Sequence, residues 1–276
     1  MDKLEFSKEY FNIYDTLSCG QTFRYNPFKD GYLVVSNNVA CYIVYENENT
    51  VIYTEHTDYF KNYFDLNTDY SLIVDKSKSY NINYLTKASE YGKGIRILKQ
   101  NTYEMIISFI ISQNNNITRI KTIIKKLCEK LGDKLEFMGE TYYSFPTIDK
   151  LALYDEGFFK SLGFGYRAGY IESTAKKLLD TDINSLYKLD TKTLKSELIK
   201  FKGIGGKVAD CVLLFGFNRF DSFPVDTWIY KLYRENFCGE ECNREKITEY
   251  FLNMFKEYSG YIQQYLFYYK RENKEA

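Results

Sequence analysis

Three glycines within four residues, Gly203, Gly205 and Gly206, interrupt two amphipathic segments in LKSELIKFKGIGGKVADCVLLFGF, and this turn constrains the chain more than any other feature. Apolar residues recur at three- and four-residue spacing on both sides, so the segments read as two helices joined by a tight hairpin. Glycine allows positive φ and close approach of the backbone to a partner. A helix beginning at such a turn offers unpaired N–H groups and the positive end of its dipole, which suits a phosphate. An ordinary turn between packed helices fits the same residues. Lys207 sharpens the choice, because it falls in the first turn of the second helix, where a cation meets the positive end of the dipole. That field, with partial burial, is expected to lower the pKa of the amine and raise its neutral, nucleophilic fraction. A phosphate contact by Lys207 is the alternative. Downstream, in FDSFPVDTWIYKLYR, Asp226 follows Pro224 and precedes a helical run, which is the place of an N-cap.

The chain around this hairpin has 276 residues, enough for one large or two modest domains. Aromatic residues make up 18% and prolines number three, so the chain reads as folded throughout. From about 20 to 55, Tyr, Val and Ile alternate between the turn clusters NPFKDG, SNN and ENENT, the pattern of an antiparallel sheet. From about 99 onward the spacing becomes helical. The expected fold class is therefore α+β: a small N-terminal antiparallel β-sheet domain over 1–95, followed by a mainly α-helical domain over 96–276.

Six cysteines, Cys19, Cys41, Cys128, Cys211, Cys238 and Cys242, show no disulfide rhythm, and MDKLEFSKEYF has no apolar core. A reducing, intracellular compartment is the expectation. Cys238 and Cys242 form a C-x3-C pair that falls short of a zinc or iron–sulfur ligand set, so no metal is expected. No apolar run is long enough to span a membrane. The formal net charge of zero argues against nucleic acid. Locally, however, Lys93, Arg96, Lys99, Arg119, Lys121, Lys125, Lys126 and Lys130 meet only Glu104 and Glu129, which makes either a solvated helix face or a nucleic-acid patch. The single histidine, His56, lies in the N-terminal part, so a histidine general base is not expected.

GIGGKVADC followed by FPVD resembles the HhH-GPD superfamily of DNA glycosylases, in which Lys and Asp occupy these positions at this spacing. CGQTFRY at 19–25, GIRILKQNTYEMIISFIISQNNNITRI at 94–120, LGFGYRAGYI at 162–171 and GYIQQYLFYY at 260–269 narrow the resemblance to the 8-oxoguanine DNA glycosylases. The helical domain is then implied to be an HhH-GPD glycosylase domain. The resemblance implies a bifunctional enzyme of base-excision repair that excises 8-oxoguanine opposite cytosine from duplex DNA and cleaves the abasic site by β-elimination through a lysine Schiff base. Lys207 would be the nucleophile, and Asp226 would stabilise developing positive charge. Gly20, Cys211, Gln263 and Phe267 would bind the flipped base. Asn114 and Tyr166 would fill and wedge the vacated stack, and Arg119 and Arg167 would read the orphaned cytosine. Gly203, Gly205 and Gly206 would approach a DNA phosphate.

No cofactor is implied, and such an enzyme is expected to act as a monomer, in the cytoplasm or nucleoid if prokaryotic. Two other readings fit the same residues: an HhH glycosylase for other oxidised or alkylated purines, and a non-catalytic HhH DNA-binding module. Three residues depart from the family pattern. Gln113 stands where Ser is usual, Trp228 where a phosphate-contacting His is usual, and Phe215 where Met is common.

Overall fold

The alternating segment folds as a meander. In the computed structural model, which describes residues 1–237 and 242–273, strands β1 (Asp2–Ser7), β2 (Tyr25–Phe28), β3 (Gly31–Ser36), β4 (Val39–Glu46) and β5 (Asn49–Thr54) form one sheet. Its order is β1-β5-β4-β3-β2, with every neighbouring pair antiparallel. Period two sends Val34, Cys41, Ile43 and Ile52 to one face, against Phe11, Ile13, Phe60, Phe64 and Leu98. Leu33, Val35, Tyr42, Val44 and Val51 occupy the other. That second face is covered by a hairpin, β6 (Lys134–Phe137) and β7 (Glu140–Tyr143), through Phe137, Met138 and Tyr142. This short hairpin interrupts the mainly helical part of the chain. Met138 and Gly139 both take positive φ, 52° and 82°, which closes a tight hairpin that helical periodicity cannot reveal.

The helices, in chain order, are α1 (Ile13–Ser18), α2 (Thr57–Tyr63), α3 (Tyr70–Ser79), α4 (Asn83–Tyr91), α5 (Thr102–Ser112), α6 (Ile117–Leu131), α7 (Ile148–Ala152) and α8 (Glu156–Ser161). They continue as α9 (Ala168–Leu179), α10 (Ile183–Tyr187), α11 (Thr191–Ile199), α12 (Gly206–Gly216), α13 (Thr227–Asn236), α14 (Arg244–Phe255) and α15 (Ser259–Glu272). Asn and Asp side chains cap many of them, Asn101 before α5, Asn116 before α6 and Asp190 before α11 among these. None of the described helices is long and apolar enough to cross a membrane.

The cores do not divide at residue 95. Tyr70, Ile73 and Val74 of α3 and Leu85 and Ala88 of α4 share one core with Ile262, Tyr265 and Leu266 of α15. The apolar faces of α3 and α4 need a helical partner, and the far end of the chain supplies it, so the sheet keeps only α1 and α2 in its own core. Polar side chains bolt the two cores together. Gln21 donates to the carbonyls of Thr16 (2.9 Å) and Arg96 (2.7 Å) and accepts from the Leu98 N–H (2.8 Å). Arg24 pairs with Glu104 at 3.1 Å, with both side chains buried, and Glu104 also accepts from the Asn37 N–H.

The basic run between 93 and 130 is correspondingly dismantled as a single patch. Arg96 is buried and donates to the carbonyls of Tyr10, Phe64, Asp65 and Thr68. Lys93 pairs with Glu9, Lys99 with the buried Asp65, and Lys121 donates to the Tyr25 carbonyl. Arg119, Lys125, Lys126 and Lys130 stay exposed on α6. Cys19, Cys41, Cys128 and Cys211 are buried free thiols and Cys242 is partly exposed, whereas Cys238 of the C-x3-C pair lies outside the described residues.

Candidate active site

The hairpin between α11 and α12 needs its glycines for different reasons. Gly203 has φ +89°, and a Cβ there would lie 2.7–2.8 Å from side-chain carbons of Tyr170. Gly205 takes an ordinary φ of −91° as the residue preceding α12, so only Gly203 uses the left-handed region, a correction to the reading of all three. A Cβ on Gly205 would meet no atom within 4 Å, and one on Gly206 only Glu245 Oε1 at 4.0 Å. The outer face of the turn is therefore open, with the first N–H groups of α12 behind it. Gln113, at the end of α5, donates to the Gly203 carbonyl at 2.8 Å and holds the turn in place.

Two cavities meet behind this turn. An open groove of about 670 Å³ is lined by Gln113, Asn114, Gly205, Gly206, Arg244 and Thr248 among others. A narrow cavity of about 60 Å³ is lined by Gly20, Phe109, Cys211, Phe215, Gln263 and Phe267 among others. Lys207 and Asp226 line both. A group spanning groove and cavity must pass these two side chains.

Asp226 precedes α13 as its N-cap, its Oδ1 accepting from the N–H groups of both Trp228 and Ile229 at 2.9 Å. Burial raises its carboxyl, and the two backbone N–H groups and Lys207 pull it back. Lys207 Nζ lies 5.8 Å from the Phe109 ring centroid. Cys211, one turn on, and then Asp226 hold its ammonium above the ordinary lysine range, against burial and Arg244. The expected lowering by the helix start is thus not found in the free protein. Burial also raises the Cys211 thiol.

In the narrow cavity, Gly20 has φ +87°, so its carbonyl is set by a backbone that only glycine adopts without strain. Gln263 donates through Nε2 to the Pro224 carbonyl at 3.1 Å, while its buried Oε1 has no hydrogen-bond partner among the described residues. A buried acceptor left over is costly and marks a place for a donor from outside. Phe215, the departure from the common Met, stacks on Phe109 at 5.6 Å and narrows the wall.

At the mouth of the groove, Asn114 takes φ +46° and its Nδ2 lies 3.4 Å from the Tyr166 hydroxyl, so the proposed filler and wedge sit together on the surface. Arg119 is exposed in the first turn of α6. Arg167 is different. It is buried, with Nε donating to the Gln113 carbonyl at 2.8 Å and Nη2 to the carbonyls of Gln113 and Asn114. In the free protein Arg167 shapes the Asn114 loop rather than presenting a free fork for a base. Trp228 is half-buried beneath Lys231, whose Nζ is 5.5 Å from the ring, and is absent from the core.

Sequence reasoning missed two pairs of residues. Gln264 donates to the Cys19 carbonyl at 3.3 Å and Arg271 to the Ser18 carbonyl at 3.0 Å, so α15 clamps the turn that carries Gly20. Their only signal is adjacency to Gln263 and Phe267. Asp210, buried, and Lys195, partly exposed, form a second pair beside Lys207. An acid inside the apolar run GKVADCVLLFG could have marked Asp210, but nothing local marks Lys195.

Comparison with known proteins places this geometry. The N-terminal domain of 8-oxoguanine DNA glycosylase matches residues 3–106, and the HhH-GPD superfamily of base excision DNA repair proteins matches residues 107–257. The chain belongs to the HhH-GPD superfamily. It is a DNA glycosylase with AP lyase activity, acting in base-excision repair. A probable N-glycosylase/DNA lyase of Methanothermobacter thermautotrophicus is 30% identical over 231 residues, 76% of this chain and 72% of that protein. The N-glycosylase/DNA lyase of Saccharomyces cerevisiae is 38% identical over 159 residues, and the match spans 42% of its length. The Clostridium acetobutylicum 8-oxoguanine glycosylase/lyase, solved with double-stranded DNA containing cytosine opposite 8-oxoG, superposes with TM-score 0.91 at 35% identity, covering 99% of both chains.

Proposed function

We propose that this protein excises 8-oxoguanine opposite cytosine from duplex DNA and cleaves the resulting abasic strand through a Schiff base on Lys207. One observation carries the reading: Lys207 and Asp226 stand together where the open groove meets the narrow, Gly20-lined cavity. A base stacked in a duplex hides its glycosidic bond, so the nucleotide must leave the stack to bring that bond to these residues. The groove takes the backbone against the hairpin glycines, and the cavity takes the base.

Oxidation replaces the N7 acceptor of guanine with an N–H donor. The Gly20 carbonyl accepts from that N–H and repels the lone pair of normal guanine. Gln263 Oε1 accepts from a donor on the Watson–Crick edge, and Phe267 and Cys211 cover the two faces. Asn114 and Tyr166 fill the vacated stack. Arg119, already exposed, reads the orphaned cytosine, and Arg167 joins it by releasing part of its hold on the Asn114 loop.

Lys207 must first lose its proton. Its neutral amine then attacks C1′ as the C1′–N9 bond breaks and the base leaves with the electron pair, protonated on departure. Asp226 stabilises the positive charge that develops on the sugar. The resulting ammonium loses one of its two N–H protons, its lone pair then expels O4′, which takes up a proton as the ring opens to the protonated Schiff base, and loss of a C2′ proton expels the 3′ phosphate. The protein works as a monomer inside the cell, and the chemistry needs no cofactor. A lesion panel with each of the four opposing bases tests the substrate. Excision fastest for 8-oxoguanine opposite cytosine is expected, and faster excision of an alkylated purine would replace this reading.

A further inference from the structure

Beside the nucleophile lies a carboxylate that the chemistry above does not use. Asp210 follows Lys207 by three residues on α12, the spacing that puts two side chains on neighbouring positions of one helix face. Its side chain is 5% exposed, and Lys195, from α11 on the other arm of the hairpin, places Nζ 2.7 Å from Oδ1 and 2.9 Å from Oδ2. Both residues line the groove with Lys207 and Asp226. A buried carboxylate must be paired or neutralised. Burial pushes Asp210 up to about 6, Lys195 draws it back, and Glu245 and Lys207 also act on it.

The charges around the two sites are few. Lys207 faces Cys211 on its own helix, Asp226 at the start of α13 and Arg244 of α14. Asp210 faces Lys195 of α11, Glu245 of α14 and Lys207. From α5, Lys207 meets the uncharged ring of Phe109. Of the two lysines beside Asp210, only Lys195 bonds its carboxylate, through both oxygens.

We propose that Lys195 is a positioning residue for the nucleophile: by occupying Asp210, it keeps that carboxylate from capturing Lys207 as an ammonium ion. The inference rests on the reading of Lys207 as the attacking amine. Without Lys195, Asp210 has Lys207 as its neighbouring cation on the same helix face, and an opposite charge at that range favours the protonated amine. Loss of the Lys195 charge itself acts in the same direction. The reaction needs the neutral amine, so its rising pH limb moves to higher pH.

The test is single-turnover base excision on an 8-oxoguanine:cytosine duplex, measured from about pH 6 to pH 10 with melting curves for each variant. Lys195→Gln is expected to be about tenfold slower along the rising limb, which moves to higher pH. Lys195→Arg keeps the native limb. Asp210→Asn moves it to lower pH, and the double variant Lys195→Gln/Asp210→Asn loses the alkaline shift. A slowing that Asp210→Asn does not relieve in the double variant, or weaker DNA binding with an unmoved limb, overturns the proposal in favour of a structural or phosphate-contacting Lys195. Borohydride trapping separates the two layers. If Lys207→Gln still traps, the nucleophile reading fails; if it does not trap but the Lys195→Gln limb stays in place, only this proposal fails.

Discussion

Asp226→Asn separates two jobs that one side chain holds. Both N-cap bonds, from Trp228 and Ile229, end on Oδ1 at 2.9 Å, so an asparagine oxygen in the same place keeps them. Asn is as good an N-cap as Asp, and stability should change by no more than about 0.5 kcal/mol. Loss of the raised, partly buried carboxylate relieves a desolvation cost, which further limits any destabilisation. The chemistry should respond quite differently. Removing a preorganised group that faces developing charge in an enclosed site costs about 10²–10³ in rate, or roughly 2.7–4 kcal/mol. Asp226→Ala should show the same rate loss together with about 1 kcal/mol of lost cap. Melting curves and single-turnover excision on one lesion duplex read the two effects independently. An Asn variant that melts like the Ala variant, or that excises at the native rate, refutes the assignment of a chemical role beside the cap.

Gly203→Ala forces a side chain into φ +89° and against Tyr170, so about 2–4 kcal/mol of stability should be lost, seen as a melting temperature lower by roughly 5–10 °C, with weaker binding of undamaged duplex. Gln264→Leu or Arg271→Met loosens the turn that carries Gly20, so the ratio of 8-oxoguanine to guanine excision should fall several-fold while the melting temperature moves little. Arg119→Ala should flatten the preference among opposing bases more than it slows the best duplex, and an equal loss across all four bases would contradict its role as a reader. Arg167→Met leaves the carbonyls of Gln113 and Asn114 without their donor, so it should weaken damaged-DNA binding and also lower the melting temperature.

Much of this site is written in local patterns. The hairpin is legible because three glycines break two helical periods, and Asp226 because a cap has a fixed place before a helix. The sheet is legible because residues 31–54 alternate. What escaped depends on partners distant in the chain. Arg96 and Lys99 count as surface charge in sequence, yet they satisfy backbone carbonyls and Asp65 across the two cores. The β6–β7 hairpin has too few apolar residues to show a period of its own and exists because the outer face of the sheet needs a cover. The acidity of Lys207 was misjudged because the helix start was visible and the three-dimensional neighbourhood of Cys211 and Asp226 was not. Lys195 was invisible for the same reason, since only the folded hairpin brings it to Asp210.

The most direct measurement is borohydride reduction during turnover of a duplex containing 8-oxoguanine opposite cytosine, followed by proteolysis and mass spectrometry of the peptide linked to DNA. A single reduced adduct on Lys207 is expected, and none with Lys207→Gln even though that variant still binds the duplex. An adduct on Lys195, on another lysine or on the N-terminal amine, or base release with no adduct at all, would contradict it.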